Sequence, residues 1–184
     1  MSPTKMKPFA NPRITAADLQ TYAQQYDQTY DAPVAALVES VKKRGYLTKS
    51  DLTILGDWKS PRIRPKLAQN SDDFIQEVTR QALSTPSVRL AVHIPQVLVG
   101  VGMPVASTIL HWFHPDPFPI LDVRALWTLG LQDEVQSLDL WEKYVCLTRR
   151  LAQDWNTDMR TLDRALWQYS AKPQVPTAVK QEKQ

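Results

Sequence analysis

Asp122 is the residue whose neighbours best equip it for chemistry. It follows the apolar, proline-containing run Phe118-Pro119-Ile120-Leu121 and precedes the helical pattern V-R-A-L-W-T-L. A carboxylate at the junction of a stiff loop and a helix is held in one place. There it can stabilise the positive charge that builds on a sugar as an N-glycosidic bond breaks, and it can position the attacking water. It can equally cap the following helix, worth about 1 kcal/mol, and the two roles do not exclude each other. Twenty positions before Asp122 ends a second feature, Leu98-Val99-Gly100-Val101-Gly102. Glycines at 100 and 102 let the backbone turn tightly between helices and approach a ligand closely. The amides opening the next helix are unpaired donors and can bind a phosphate with help from the helix dipole. Such a contact anchors a nucleic-acid backbone without reading its sequence.

Other residues are weighed against these. Residues 42–66 carry a net charge of +6, including Lys59, Arg62, Arg64 and Lys66, and suit either phosphate contacts or a solvated face. Trp58, ahead of Lys59-Ser60-Pro61-Arg62, suits base stacking or wedging, or a packed helix end. His111, His114 and Asp116 have spacing that imitates a metal site, but histidines beside a proline loop more often do cap or surface chemistry, so no metal is expected. Cys146, in K-Y-V-C-L, reads as a small buried hydrophobe. No second acid able to protonate a leaving base is identifiable, and no cofactor motif is present.

The elements that must position these groups are helical nearly throughout. Thr15 is expected to cap a helix to about Gln28, and Asp31 the next, with Val34, Leu37, Val38 and Val41 on one face. Thr48 or Ser50 opens a short helix ending near Trp58, and residues 60–69 read as a loop. Ser71 caps a helix with Phe74, Val78 and Leu83 apolar, and Pro86 starts another that ends before Pro95. Pro104 suits the first turn of a helix running to about Phe113. His114 to Pro119 cannot be helical. Helices over about 123–130, 139–155 and 158–170 complete an all-α domain spanning 14–170, between disordered tails 1–13 and 171–184. L-D-V-R-A-L-W at 121–127 is echoed by L-D-R-A-L-W at 162–167, which reads as two amphipathic helices rather than a repeat.

The stretch 97–130, with its G-V-G turn followed by F-P-I-L-D, resembles the helix-hairpin-helix base-excision DNA glycosylase superfamily, most closely its adenine-mismatch branch. The resemblance implies a helix-hairpin-helix near 90–113 within a glycosylase-like helical core. It implies DNA as the partner, a duplex held at its backbone by Val99, Gly100, Val101 and Gly102. Lys59, Arg62, Arg64 and Arg124 would be electrostatic auxiliaries, and Asp122 the catalytic carboxylate of a monofunctional N-glycosylase. Departures are plain. Pro104 stands where bifunctional members place a Schiff-base lysine, so no lyase step is expected through position 104. Arg124 and Trp127 replace the usual positioning residues, and the four-cysteine cluster of the adenine branch is absent. The wider chain is similar to uncharacterised bacterial proteins sharing W-K-S-P-R and D-R-A-L-W, a kinship that names no activity.

Composition bounds these readings. A chain of 184 residues and 21.0 kDa, 43% hydrophobic, builds one domain with a sizeable core. The net charge of +3 comes from the tails, which carry +3 and +2, leaving −2 for residues 14–170. One cysteine excludes an internal disulfide framework and a four-cysteine iron–sulfur centre, and fits a reducing compartment. No secretory signal or membrane span is expected, so the expected location is cytoplasmic, with the nucleoid if DNA is bound. The P-loop and dinucleotide fingerprints are missing. Two alternatives keep the scaffold without the enzyme: a non-catalytic helix-hairpin-helix DNA-binding protein, and a protein-interaction module. An enzyme requires a base-sized cleft beside Asp122 with the glycine turn on the same face. A plain binder requires that cleft filled, and a protein module an exposed apolar patch elsewhere.

Overall fold

The computed structural model describes residues 12–170, and among these every regular element is a helix. The expected tails therefore lie outside the described residues, except at Pro12 and Arg13, of which Arg13 is held to the fold. The Arg13 amide donates to the Thr128 carbonyl at 2.8 Å and its guanidinium stacks on Trp127 at 4.3 Å. No helix among the described residues is long and apolar enough to cross a membrane.

The chain begins with α1 (Leu19–Gln25), a 3-10 turn (Gln28–Asp31), α2 (Ala32–Ala35) and α3 (Val38–Arg44). α4 (Lys49–Lys59) opens on a capping box in which Thr48 and Asp51 satisfy each other's backbone donors. It closes at Ser60, extended because it precedes Pro61. The expected loop over 60–69 is instead a 3-10 turn (Pro61–Ile63) running into α5 (Arg64–Leu67), since Pro61 and Pro65 occupy first-turn positions where no donor is lost. α6 (Asp72–Ser84) is capped by Ser71, and α7 (Val88–His93) by Ser87. A 3-10 turn (Ile94–Val97) and the glycine turn lead to α8 (Met103–Phe113). α9 (Val123–Thr128), α10 (Leu138–Asp154) and α11 (Met159–Tyr169) follow, each with an N-cap side chain on its backbone.

The helices form two groups. α1, α9 and α10 gather on α11, while α2 to α8 pack among themselves, and α10 bridges to α7. The apolar faces meet around Trp141, Tyr144, Phe113 and Phe118, all essentially inaccessible. Their polar atoms are spent internally: the Trp141 indole donates to the Val88 carbonyl and the Tyr144 hydroxyl to that of Ile120, each at 2.9 Å.

Several expectations are corrected. α1 is shorter than the reading from Thr15 to Gln28, because Asp18 accepts from the Thr15 amide and hydroxyl and forms a separate turn ahead of it. Asp31 caps nothing; its carboxylate turns inward to Arg160 and Arg164. Phe74 is 40% exposed, because Ile75, Val78 and Thr79 set the buried face of α6. Cys146 is exposed rather than buried. On α10 the core stripe runs through Trp141, Tyr144, Val145, Leu147, Thr148 and Leu151, and position 146 falls off it.

Candidate functional site

α8 is the template for the loop that carries Asp122. The Ser107 hydroxyl, fully buried, donates to the Pro104 carbonyl and accepts the Leu121 amide at 2.9 Å. One turn on, His111 Nδ1 lies 2.7 Å from the Phe118 carbonyl, and because a carbonyl only accepts, Nδ1 carries the proton. Burial pushes the His111 imidazole below its ordinary pKa and keeps it neutral. His114 donates from Nε2 to Thr85 and accepts the Asp116 amide on Nδ1. The two histidines are thus loop fasteners, and among the described residues no group of three or more His, Cys, Asp or Glu is arranged to hold a metal.

Held this way, Asp122 caps α9 through Oδ1, which accepts the Arg124 amide at 2.9 Å. Oδ2 accepts instead from Lys59 Nζ at 3.1 Å, an ion pair whose side chains are 15% and 23% exposed. Both residues line a cavity of about 470 Å³ between the two helix groups. This lies within the roughly 300–1,000 Å³ range of small-molecule sites. Tyr26, Tyr30, Trp58 and Trp167 supply aromatic walls, and Asp27, Arg160 and Asp163 supply charge. Trp58 packs edge-on against Trp112 at 5.7 Å and also faces the cavity, so both readings of it apply. Its indole N–H is shielded from solvent and has no acceptor among the described residues.

Behind the cavity lies a buried ionic hub. Arg160 reaches Asp31 at 2.6 Å and Asp163 at 2.6 Å, and Arg164 reaches Asp31 at 2.7 Å. Burial works against the charge of Asp31, but hydrogen bonds from Arg160, Arg164 and Tyr26 outweigh it and hold the carboxyl below its usual range. The Arg160 guanidinium also sits 5.0–5.4 Å from the rings of Trp112, Tyr26 and Trp58.

A second, shallow hollow is formed by Val99, Gly100, Val101 and Gly102 with Ile63, Lys66, Gln69 and Gln96. Gly100 has φ +87°, and a Cβ there would stand 2.8 Å from Lys66 Cβ. Asn70 brackets Val99, donating to its carbonyl at 3.0 Å and accepting its amide at 2.9 Å. The Val101 amide is spent on Leu98, whereas those of Gly100, Gly102 and Met103 find no acceptor among the described residues. Lys59 in the cavity and Lys66 at the hollow are joined by residues 60–65, in which the 3-10 turn and the start of α5 fold back against α4.

The remaining basic residues behave differently. Arg62 is exposed beside this span. Arg64 spends its guanidinium on Asp57, and Arg124 stacks on Trp167 at 3.5 Å and donates to Ser170 at 2.8 Å. Sequence reasoning missed Asp163, Asp27, Tyr26, Tyr30 and Arg160. The signal for Asp163 was the echo itself. α9 and α11 pack together, Thr128 donates to the Leu166 carbonyl at 2.7 Å, and Asp122 and Asp163 line one cavity. Compared with protein-family models, with curated proteins and with solved structures, the chain matches none of them.

Proposed function

We propose that this protein binds DNA and hydrolyses the glycosidic bond of an extruded nucleotide, with Asp122 as the carboxylate that stabilises the developing sugar cation. The observation that carries the reading is the open, aromatic-walled cavity beside Asp122, joined by residues 59–66 to a glycine turn with unspent amides. Aromatic walls receive an unstacked base, whose extrusion costs a few kcal/mol. The free amides and Lys66 suit backbone phosphates. Beside Asp122 the cavity offers two further carboxylates, Asp27 and Asp163, of which Asp163 is paired with Arg160.

The non-catalytic alternative rests on the Lys59–Asp122 pair, in which the carboxylate already has structural work. Binding to a duplex bearing an abasic transition-state analogue, across a salt series, tests the proposal. The expected result is tighter binding than to plain duplex, lost in Gly102→Arg, whose side chain would cover the free amides. Asp122→Asn should abolish turnover on a panel of modified bases; asparagine keeps the α9 cap but loses the Lys59 ion pair, so circular dichroism melting of the variant accompanies the assay. Equal, weak binding to both duplexes would refute the DNA reading, and unchanged turnover in Asp122→Asn would refute the role of Asp122.

A further inference from the structure

We propose that Asp163 is the specificity-determining residue of the cavity, and that its unspent carboxylate oxygen selects a base whose edge carries two adjacent N–H donors, as guanine's does. The inference rests on the reading of the cavity as a nucleotide site. It starts from what Asp163 does not do. Asp122 caps α9, but its counterpart in the L-D echo lies inside α11, past the N-cap Asp158, which itself accepts the Thr161 amide at 2.9 Å. The Asp163 side chain is 9% exposed, a burial that a carboxylate tolerates only when paired. The pair uses one oxygen. Arg160 Nη1 donates to Oδ2 at 2.6 Å, while Oδ1 receives no hydrogen bond among the described residues and is not sealed from solvent as the Trp58 indole N–H is.

The other carboxylates of the cavity are spent or stand in solvent. Asp122 divides its oxygens between the Arg124 amide and Lys59, and Asp27 is exposed and accepts from the Thr29 amide and hydroxyl. Asp163 is also held still. Arg160 grips Asp31 through Nε at 3.0 Å and Nη2 at 2.6 Å, so the guanidinium that fixes Oδ2 cannot turn, and Oδ1 is left to the cavity. Asp163 and Asp122 share a neighbour. Burial, and then the negative charges of Asp163 and Asp122, push the Tyr144 phenol well above its ordinary pKa. One ligand can therefore meet both, its sugar at Asp122 and its base at Asp163. A carboxylate paired with arginine only accepts. It matches the N1–H and N2–H donors of guanine, taken by Oδ1 and the second lone pair of Oδ2. Adenine offers one amino donor beside the N1 lone pair, which a carboxylate repels. Aromatic walls receive either purine, so the choice falls to Asp163. The preference is opposite to that of the adenine-mismatch branch that the sequence resembles.

The test uses the full chain and labelled duplexes that differ in one nucleotide, each set opposite an abasic gap so that extrusion costs alike, and each built on a 2′-fluorinated sugar that resists hydrolysis. The bases are guanine, hypoxanthine, 2-aminopurine and adenine, and a further duplex carries the abasic analogue. Anisotropy gives each Kd. Guanine should bind about 10-fold or more tighter than adenine, with hypoxanthine and 2-aminopurine, which keep one of the two donors each, between them. In Asp163→Asn the order should reverse. Arg160 only donates, so the new amide turns its carbonyl to Arg160 and its N–H to the cavity, where it suits the adenine N1 lone pair. Binding of the abasic duplex, which offers no base edge, should be unchanged. Should circular dichroism show that this variant does not fold, Asp163→Ser takes its place, and guanine and adenine should then bind alike. A loss shared by every duplex, a guanine preference that survives the substitution, or no ranking in the wild-type protein would overturn this inference. Preferential binding of the abasic analogue over plain duplex would leave the nucleotide site standing in each of those cases. Absence of that preference would overturn both.

Discussion

Replacing Asp31 with alanine should destabilise the fold more than any single surface change. Its side chain is 4% exposed and accepts from Arg160 at 2.6 Å, Arg164 at 2.7 Å and the Tyr26 hydroxyl at 2.9 Å. Alanine leaves two guanidinium groups, 15% and 18% exposed, without their shared counter-charge. Breaking one side of a buried ion pair typically costs about 3–5 kcal/mol, because the charge left behind is desolvated and unpaired. Here Arg160 keeps Asp163 as a second partner, which places the expected loss near the lower end, about 3 kcal/mol. A domain of this size shifts its Tm by about 2–4 °C per kcal/mol, so a fall of roughly 6–12 °C is expected. Urea unfolding gives the free energy directly, and scanning calorimetry the Tm. A loss below about 1 kcal/mol would show that the hub is neutral and that apolar packing alone joins the Gln28–Asp31 turn to α11. The pH dependence has a defined sign. The Asp31 carboxyl is depressed in the fold, so its contribution is complete above the ordinary carboxylate pKa near 3.8 and is lost as pH falls through the lower folded value.

Gly100→Ala should lose about 2–3 kcal/mol in urea unfolding, from the left-handed backbone and the 2.8 Å overlap with Lys66, whereas Gly102→Ala, with nothing nearer than 3.9 Å, should be neutral or slightly stabilised. Equal effects would contradict the turn geometry. His111 is held neutral by burial, so the unfolded chain takes up a proton that the folded chain refuses. Stability should fall as pH drops below about 6.5, and His111→Asn, which keeps a donor for Phe118, should flatten that slope between pH 7 and 5. An unchanged slope would assign it to other groups.

Periodicity, caps and prolines determined the helical class and most helix starts from local sequence. Thr48, Ser71 and Asp122 cap as their types dictate, and Pro104 opens α8 because a first-turn residue needs no donor. Asp122 and the glycine turn were legible for the same reason, since a stiff loop and a tight turn are short-range properties. What sequence could not convey was which distant charges meet. Asp31 looks like a cap, and its true partners lie more than 120 residues away on α11. Lys59 reads as one basic residue in a basic run, and only the packing of α4 against the Asp122 loop separates it from its neighbours. Asp163 was visible as an echo but not as a cavity wall, because the echo acquires meaning only once α9 lies on α11. Caps and turns are settled by contacts within a few residues, whereas ion pairs and cavity linings depend on long-range helix packing. The same reason explains Cys146, whose exposure follows from which face of α10 the other helices cover.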